Sequence, residues 1–174
     1  MLILGLLLGL AEAAPVAEHI APPPAPDFVL GFAGRGPAPI REYVPRGETV
    51  ERWTRMVTIL QLGWKPGMGP RRYAGLWAQS MQRGCPGAVV GEARDTPLAG
   101  HESVTLRVTC PRNPQTGLAE LVVGRFVTGG EQLHNIQAAI RGPVTPQAEA
   151  WAEGLVAGAT LCAAGDAKAL CRAE

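Results

Sequence analysis

Residues 103–141 contain three successive β-strand patterns that are separated only by short turns. In the first, apolar residues alternate with polar ones from 103 to 109, which is typical of a strand with one buried face. The connecting segments are residues 111–117, which contain two prolines, and the pair Gly129-Gly130. Because connections this short join neighbouring antiparallel strands, the pattern predicts a mainly antiparallel sheet rather than a doubly wound nucleotide-binding fold.

The last of the three segments, residues 132–141, fits two kinds of secondary structure. Leu133, Ile136 and Ile140 have the spacing of one helix face. His134, Ile136 and Ile140 also fall on one face of a strand. The glycine pair just before the segment favours a hairpin, so we predict a strand here.

The remaining strand patterns lie mostly in the first half of the chain. The run from 54 to 62, which follows Trp53, is rich in β-branched and apolar residues and suits a strand that is largely buried on both faces. A single helical turn is predicted just before it, at residues 48–52. Further strands are predicted at residues 28–32, 40–44, 88–92 and 118–127.

Two helices are predicted from their end signals and their apolar stripes. The first covers residues 70–83, with Pro70 at the first helical position and Gly84 as the stop. The second follows Thr145-Pro146, an N-cap and a first-turn proline. The stripe of the first helix consists of Tyr73, Leu76, Trp77, Ser80 and Met81, and that of the second of Ala148, Trp151, Leu155, Ala159 and Cys162.

These elements predict an α+β fold, a sandwich in which two main helices pack on a mainly antiparallel sheet of about six or seven strands. The helices can cover one or both faces of the sheet. The chain of 174 residues is long enough for one domain with its own core. We place that domain at residues 28–174, after a proline-rich spacer at 18–27 that contains His19.

The N-terminal segment predicts export from the cytoplasm. An almost unbroken apolar run at residues 2–10 is followed by Ala11-Glu12-Ala13, a small-x-small cleavage pattern. The run suits a secretion signal and is too short to span a membrane. We therefore predict a signal peptide at residues 1–17 and a periplasmic or secreted protein that does not span the membrane after cleavage. A short buried N-terminal helix is the alternative.

An even number of cysteines in an exported protein argues for disulfides. The four cysteines, Cys85, Cys110, Cys162 and Cys171, allow three pairings. We favour Cys85–Cys110 and Cys162–Cys171, because each pair joins near neighbours in the chain. A four-cysteine zinc site is the alternative, but no C-x-x-C pair is present and the spacing is irregular.

Charge and motifs argue against several function classes. The net charge is +1 and no long Lys/Arg run occurs, which argues against nucleic-acid binding. Neither Ser80 nor Ser103 lies in the G-x-S-x-G motif of serine hydrolases. His19, His101 and His134 are widely separated and form no H-E-x-x-H pattern, so we expect no metal and no cofactor.

A few residues remain as candidates for contact with a ligand or partner. Trp64 lies beside Lys65-Pro66 in a predicted loop, although packing is the more common role of such a residue. Arg71-Arg72 begins a helix, where cations oppose the helix dipole, and could bind an anionic partner or lipid headgroup instead of only water. The full set of candidates is Glu48, Trp64, Arg71, Arg72, His134 and Arg141.

Two segments also carry a family resemblance. Residues 42–56, EYVPRGETVERWTRM, resemble an opening motif of uncharacterised exported bacterial proteins in which P-x-G-E is followed by W-T-x-M. Residues 132–141, with the helix and cysteine that follow, resemble their C-terminal half. The strand and helix order is similar to the PsbP-like group, whose members are mostly binding or assembly modules. Over residues 38–162 the resemblance implies an α/β/α sandwich and an exported location, and it carries over no catalytic residue.

Two functional hypotheses follow. The first is a non-catalytic periplasmic or secreted module that binds a partner protein, an envelope component or a small ligand. The second is an envelope enzyme with polar groups converging around His134, Glu48 or Arg141. We favour the first, because the sequence contains no recognisable catalytic motif.

Overall fold

A computed structural model describes residues 17–22, 25–63, 67–130, 132–166 and 168–171. Residues 1–16 of the predicted signal and the candidate Trp64 lie outside this description. The described elements are β1 (His19–Ala21), β2 (Phe28–Gly34), β3 (Ile40–Pro45), β4 (Arg55–Gly63), α1 (Pro70–Gly84), β5 (Val89–Val90), β6 (Arg94–Asp95), β7 (Ser103–Cys110), β8 (Glu120–Thr128), β9 (Gln132–Arg141), α2 (Pro146–Ala157), β10 (Thr160–Cys162) and a 3-10 turn (Ala169–Cys171).

Eight of these strands form one antiparallel sheet. Its order is β2-β3-β4-β9-β8-β7-β5, and β6 also pairs with β7. The hairpins β7–β8 and β8–β9 are those that the short turns predicted, and residues 132–141 form a strand. The predicted α+β fold with a mainly antiparallel sheet is therefore confirmed.

The two helices cover opposite faces of this sheet. Along β8, Val122 and Phe126 pack with residues of α1, whereas Leu121 and Val123 belong to the cluster that contains α2. This division follows from the alternation of side chains along a strand. The central strands β8 and β9 are consequently buried on both sides, and the structure has three layers.

The second helix is shorter than predicted. It begins as expected, because Thr145 Oγ1 accepts a hydrogen bond from the amide of Ala148 at 3.2 Å. It ends at Ala157, and Cys162 lies on β10 rather than on the helix face. The prediction was wrong because the apolar residues that continue the helical spacing instead form a strand that pairs with β1.

Residues 19–21, within the predicted spacer, are part of the fold. His19, Ile20 and Ala21 form β1, which pairs antiparallel with β10. Ile20 is fully buried in the core cluster that contains α2. The expectation that folded structure starts near Phe28 missed this short strand, because the prolines around it suggested a solvated segment.

Helix α1 packs through smaller residues than the predicted stripe suggested. Ala74 and Ala78 are buried, and Trp77 contacts Phe126 edge-on at a ring-centroid distance of 5.5 Å. Leu76 is 45% exposed, and Ser80 is also exposed. The alanines let the helix approach the sheet closely, so the buried stripe is shifted around the helix from the predicted one.

All four cysteines are paired in the combination that their spacing favoured. Cys85–Cys110 joins the end of α1 to the end of β7, with a Cα–Cα distance of 5.9 Å. Cys162–Cys171 joins β10 to the 3-10 turn, with a Cα–Cα distance of 5.5 Å. Two disulfides in a fold of this size indicate an oxidising compartment.

Within the described ranges, no helix has the length and apolar character needed to cross a membrane.

Candidate functional site

The β3–β4 loop lies at one end of the sheet and is shaped by a glutamate. Glu48 accepts hydrogen bonds from Thr54, at 2.6 Å from the backbone nitrogen and 2.8 Å from the hydroxyl. Gly47 before it has a φ of +93°, which favours glycine. The helical turn predicted for 48–52 is absent, because the Glu48 side chain holds the loop in an irregular conformation instead.

Trp53 in this loop contacts the last residue of β9. The guanidinium carbon of Arg141 lies 3.8 Å from the centroid of the Trp53 ring, a close cation–π contact. Arg141 Nε also donates to Glu120 Oε1 at 2.7 Å. The side chains of Arg141 and Glu120 are only 16% and 10% exposed, so this ion pair is shielded from solvent. The three side chains therefore hold one another in fixed positions.

A cavity of about 400 Å³ opens beside this contact. Its lining includes the exposed Thr116 and Leu118 from the β7–β8 connection, and Leu118 is 48% exposed. We call the group Glu48, Trp53, Thr116, Leu118 and Arg141 the Trp53 surface. It combines a partly buried aromatic ring, a fixed cation and an exposed aliphatic side chain.

The chemistry of the Trp53 surface suits binding better than catalysis. The carboxylate of Glu48 already accepts hydrogen bonds from Thr54. The guanidinium of Arg141 already donates to Glu120 and lies over the ring of Trp53. Glu51 is an exposed carboxylate whose pKa is lowered by the Thr49 hydroxyl, so it is a weak base. Among the described residues that line this cavity there is no histidine or cysteine.

His134 lies at the opposite end of β9 from Arg141, seven residues or about 24 Å along the strand. It is fully buried, and its Nε2 lies 2.9 Å from Oε1 of Glu18. The same carboxylate accepts hydrogen bonds from the amide of Gly130 at 3.0 and 3.1 Å. The structure therefore brings Glu48 and Arg141 together but does not bring His134 to them.

The protonation state of this buried pair follows from its contacts. The Nδ1 atom of His134 is buried and has no hydrogen-bond partner within the described residues. A neutral ring with its proton on Nε2 can donate to the Glu18 carboxylate and leaves no N–H unpaired. Burial lowers the pKa of His134, and the hydrogen bond to Glu18 offsets this only in part. Burial raises the pKa of Glu18, but His134 and Gly130 together bring it below its usual range.

The candidate arginines of α1 lie elsewhere. Arg71 forms an exposed ion pair with Asp95 at 2.6 Å and also donates to the carbonyl of Ala93 at 3.3 Å. Arg72 is exposed on the same helix turn. Asp95 thus neutralises the charge of Arg71 within the same chain. This contact weakens the prediction that Arg71 binds an anionic partner.

Sequence reasoning did not select Trp53, Glu120 or Arg125 as candidates. A signal for the last two was present, since they are the only charged residues in the otherwise apolar segment 120–128. A charge within a buried strand must be paired or hydrogen-bonded, and such positions merit attention. Both residues are indeed buried, at 7% and 5% exposure.

The site residues do not suggest a metal centre. Across the described ranges, no group of three or more His, Cys, Asp or Glu side chains is arranged to hold a metal ion. His19 and His101 act electrostatically on His134, but His134 already uses its Nε2 atom for the Glu18 carboxylate.

Comparisons with known proteins identify a fold but no family. No protein-family model matches the chain, and no curated protein matches it. A solved structure of a mutant of Protein Mog1 is similar, with a TM-score of 0.51 and 11% sequence identity. The match covers 78% of this chain and 78% of that chain. At this identity the likeness shows a shared α+β fold and nothing about activity.

Proposed function

We propose that this protein is an exported, non-catalytic binding module that contacts a partner protein or an envelope component through the Trp53 surface. The oxidising compartment that its two disulfides indicate is compatible with a periplasmic or secreted location. The apolar run and cleavage pattern at the start of the sequence support the same location.

The fixed contact between Trp53 and Arg141 carries this proposal. Tryptophan and arginine are enriched among the residues that dominate binding energy at protein interfaces. Here the two are already locked together by the shielded Glu120 carboxylate, so little side-chain entropy would be lost when a partner binds. Leu118 adds an exposed apolar contact at the edge of the same surface.

The enzyme hypothesis receives less support. It required converging polar groups around His134, Glu48 or Arg141. Of these, Glu48 and Arg141 share a cavity, but their hydrogen-bonding groups are engaged within the protein. His134 is fully buried at the other end of the strand.

Photo-crosslinking in intact cells tests the proposal. A photoreactive amino acid placed at the exposed Thr116 should form a discrete crosslinked species. The same amino acid at Ser80, exposed on α1, should not form that species. Leu118→Glu should abolish the Thr116 product, whereas Leu76→Glu is the matched control, since Leu76 is 45% exposed and Leu118 48%.

Two results would contradict the proposal. One is an identical crosslinking pattern from positions 116 and 80. The other is a Thr116 product that survives Leu118→Glu while the variant remains folded by circular dichroism.

A further inference from the structure

A second cavity lies on the α2 face of the sheet, away from the Trp53 surface. Helix α2 packs over β8 and β9, and the segment 91–96 runs along the outer side of β7. Between them remains a cleft of about 470 Å³. That volume lies in the range of small-molecule sites. We call it the Arg125 cleft, because Arg125 forms part of its floor together with Val123 and Thr105.

Arg125 is buried without a carboxylate partner. Its Nε donates to Ser103 Oγ at 3.0 Å, and its Nη1 donates to the carbonyl oxygens of Ala157 at 3.1 Å and Val156 at 3.4 Å. Its Nη2 donates to the carbonyl oxygens of Thr96 at 2.6 Å and Pro97 at 3.3 Å. The ion pairs formed by the described residues do not include it.

The charge of Arg125 is therefore compensated only by dipoles. Two of the carbonyl groups belong to the last turn of α2, where the helix dipole is negative. Burial lowers the pKa of this guanidinium, although arginine stays protonated at any physiological pH. A positive charge that is hydrogen-bonded but has no carboxylate partner consequently lies at the floor of the cleft.

The walls of the cleft carry charges of both signs. The side chains of Arg94, Glu92 and Glu153 line it and form no hydrogen bond or ion pair with other residues of the described ranges. Arg107, which also lines the cleft, is paired with Glu149 of α2. One unpaired arginine and two unpaired glutamates, all three exposed, thus line the same cleft.

We propose that the Arg125 cleft binds a small zwitterion, a molecule of amino-acid or dipeptide size with a free carboxylate and a free ammonium group. A purely anionic ligand would be repelled by Glu92 and Glu153, and a purely cationic one by Arg94 and Arg125. A molecule with both charges complements both sets, and the exposed Ala157 offers an apolar contact for its side chain.

Isothermal titration with defined probes tests this proposal. The probes are L-leucine and L-leucyl-L-leucine, each compared with its N-acetyl and its C-terminal amide derivative. We expect saturable binding of the zwitterions and at least tenfold weaker binding of both derivatives. Absence of saturable binding for all probes at millimolar concentration, or equal affinity for zwitterions and derivatives, would overturn the proposal.

Exposed variants locate the binding without disturbing the core. E92Q/E153Q should remove the discrimination against the N-acetyl probe, and R94A should remove the discrimination against the amide. The controls R72A and E102Q alter exposed charges outside the cleft. They should change neither the affinity for the zwitterions nor the discrimination against the two derivatives. Loss of binding in the controls as well would overturn the assignment.

This inference stands apart from the proposed partner surface. Leu118→Glu should leave zwitterion binding unchanged, because Leu118 does not line the Arg125 cleft. Failure of one proposal can therefore be distinguished from failure of the other.

Discussion

Glu18 and His134 are 116 residues apart in sequence, yet the carboxylate of the first accepts a hydrogen bond from Nε2 of the second at 2.9 Å. The contact fastens the N-terminal segment to the start of β9. Gln61 of β4 adds a second link by donating from Nε2 to the carbonyl of Glu18 at 3.0 Å. These contacts and the buried Ile20 explain why a segment flanked by prolines is ordered.

The pH dependence of stability should reveal this contact. The pKa of His134 is lowered from 6.5 and that of Glu18 from 4.5, so both groups stabilise the fold above these values. The stability due to His134 should be lost as pH falls below about 6.5, and that due to Glu18 below about 4.5. His19 and His101 also face the pair and act in the same direction, because both lower the pKa of His134.

Urea unfolding at several pH values between 7.5 and 4 measures this effect. Glu18→Gln should cost about 1.5–3 kcal/mol at pH 7.5, the usual contribution of a hydrogen bond to a charged group. It should also steepen the decline between about pH 6.5 and 4.5, because the Glu18 carboxylate raises the pKa of His134 and so partly offsets the effect of burial. A stability that is constant from pH 7.5 to 4, or a decline unaffected by Glu18→Gln, would contradict the assignment.

The glycine pair of the β8–β9 turn gives a steric test of the same contact. A Cβ at Gly129 would collide with the Glu18 carboxylate and would lie 2.9 Å from Nε2 of His134. We expect Gly129→Ala to destabilise the protein by about 1–3 kcal/mol, as steric overpacking does. Gly130→Ala is the matched control, because a Cβ there would come no closer than 3.7 Å to Glu18.

A double variant separates steric collision from other effects of alanine. Glu18→Ala removes the group that the new Cβ meets, so Gly129→Ala should cost less in that background than in the wild type. Hydrogen exchange at the amide of Ile20 should report release of β1 in Gly129→Ala. Additive costs of the two substitutions would show that the collision does not occur.

The two disulfides should contribute unequally. They span sequence separations of 25 and 9 residues. The chain-entropy relation gives about 3–4 kcal/mol for the longer loop and about 2–3 kcal/mol for the shorter one. Denaturant unfolding of C85A/C110A and C162A/C171A measures both, and a larger loss for the second pair would contradict the expectation.

The ion pair beneath Trp53 should respond strongly to the loss of one partner. Arg141→Met leaves the shielded Glu120 carboxylate unpaired and should cost about 3 kcal/mol. Arg71→Met is the control, because its ion pair with Asp95 is exposed and should be worth less than about 1 kcal/mol. Glu120→Gln in the Arg141→Met background should restore part of the lost stability, because it removes the unpaired charge. Equal losses for Arg141→Met and Arg71→Met would refute this interpretation.

Local sequence signals were sufficient for most of the architecture. Alternation over 103–109, the glycine pair at 129–130 and the helix starts at Pro70 and Thr145 all act through nearby backbone, so they can be read from neighbouring residues. The predicted strands, helix starts and antiparallel sheet correspond to the structure for this reason. Cysteine spacing also favoured the pairing that the structure has, because nearby residues in sequence meet most easily in space.

What the sequence could not determine depends on partners distant in the chain. β1 and β10 are three residues each and are stable as strands only because they pair with each other, across more than a hundred residues. Trp53 meets Arg141, and Glu18 meets His134, only after the sheet has formed. The Arg125 cleft likewise exists only because α2 leaves β7 partly uncovered, a consequence of helix placement that no local pattern encodes.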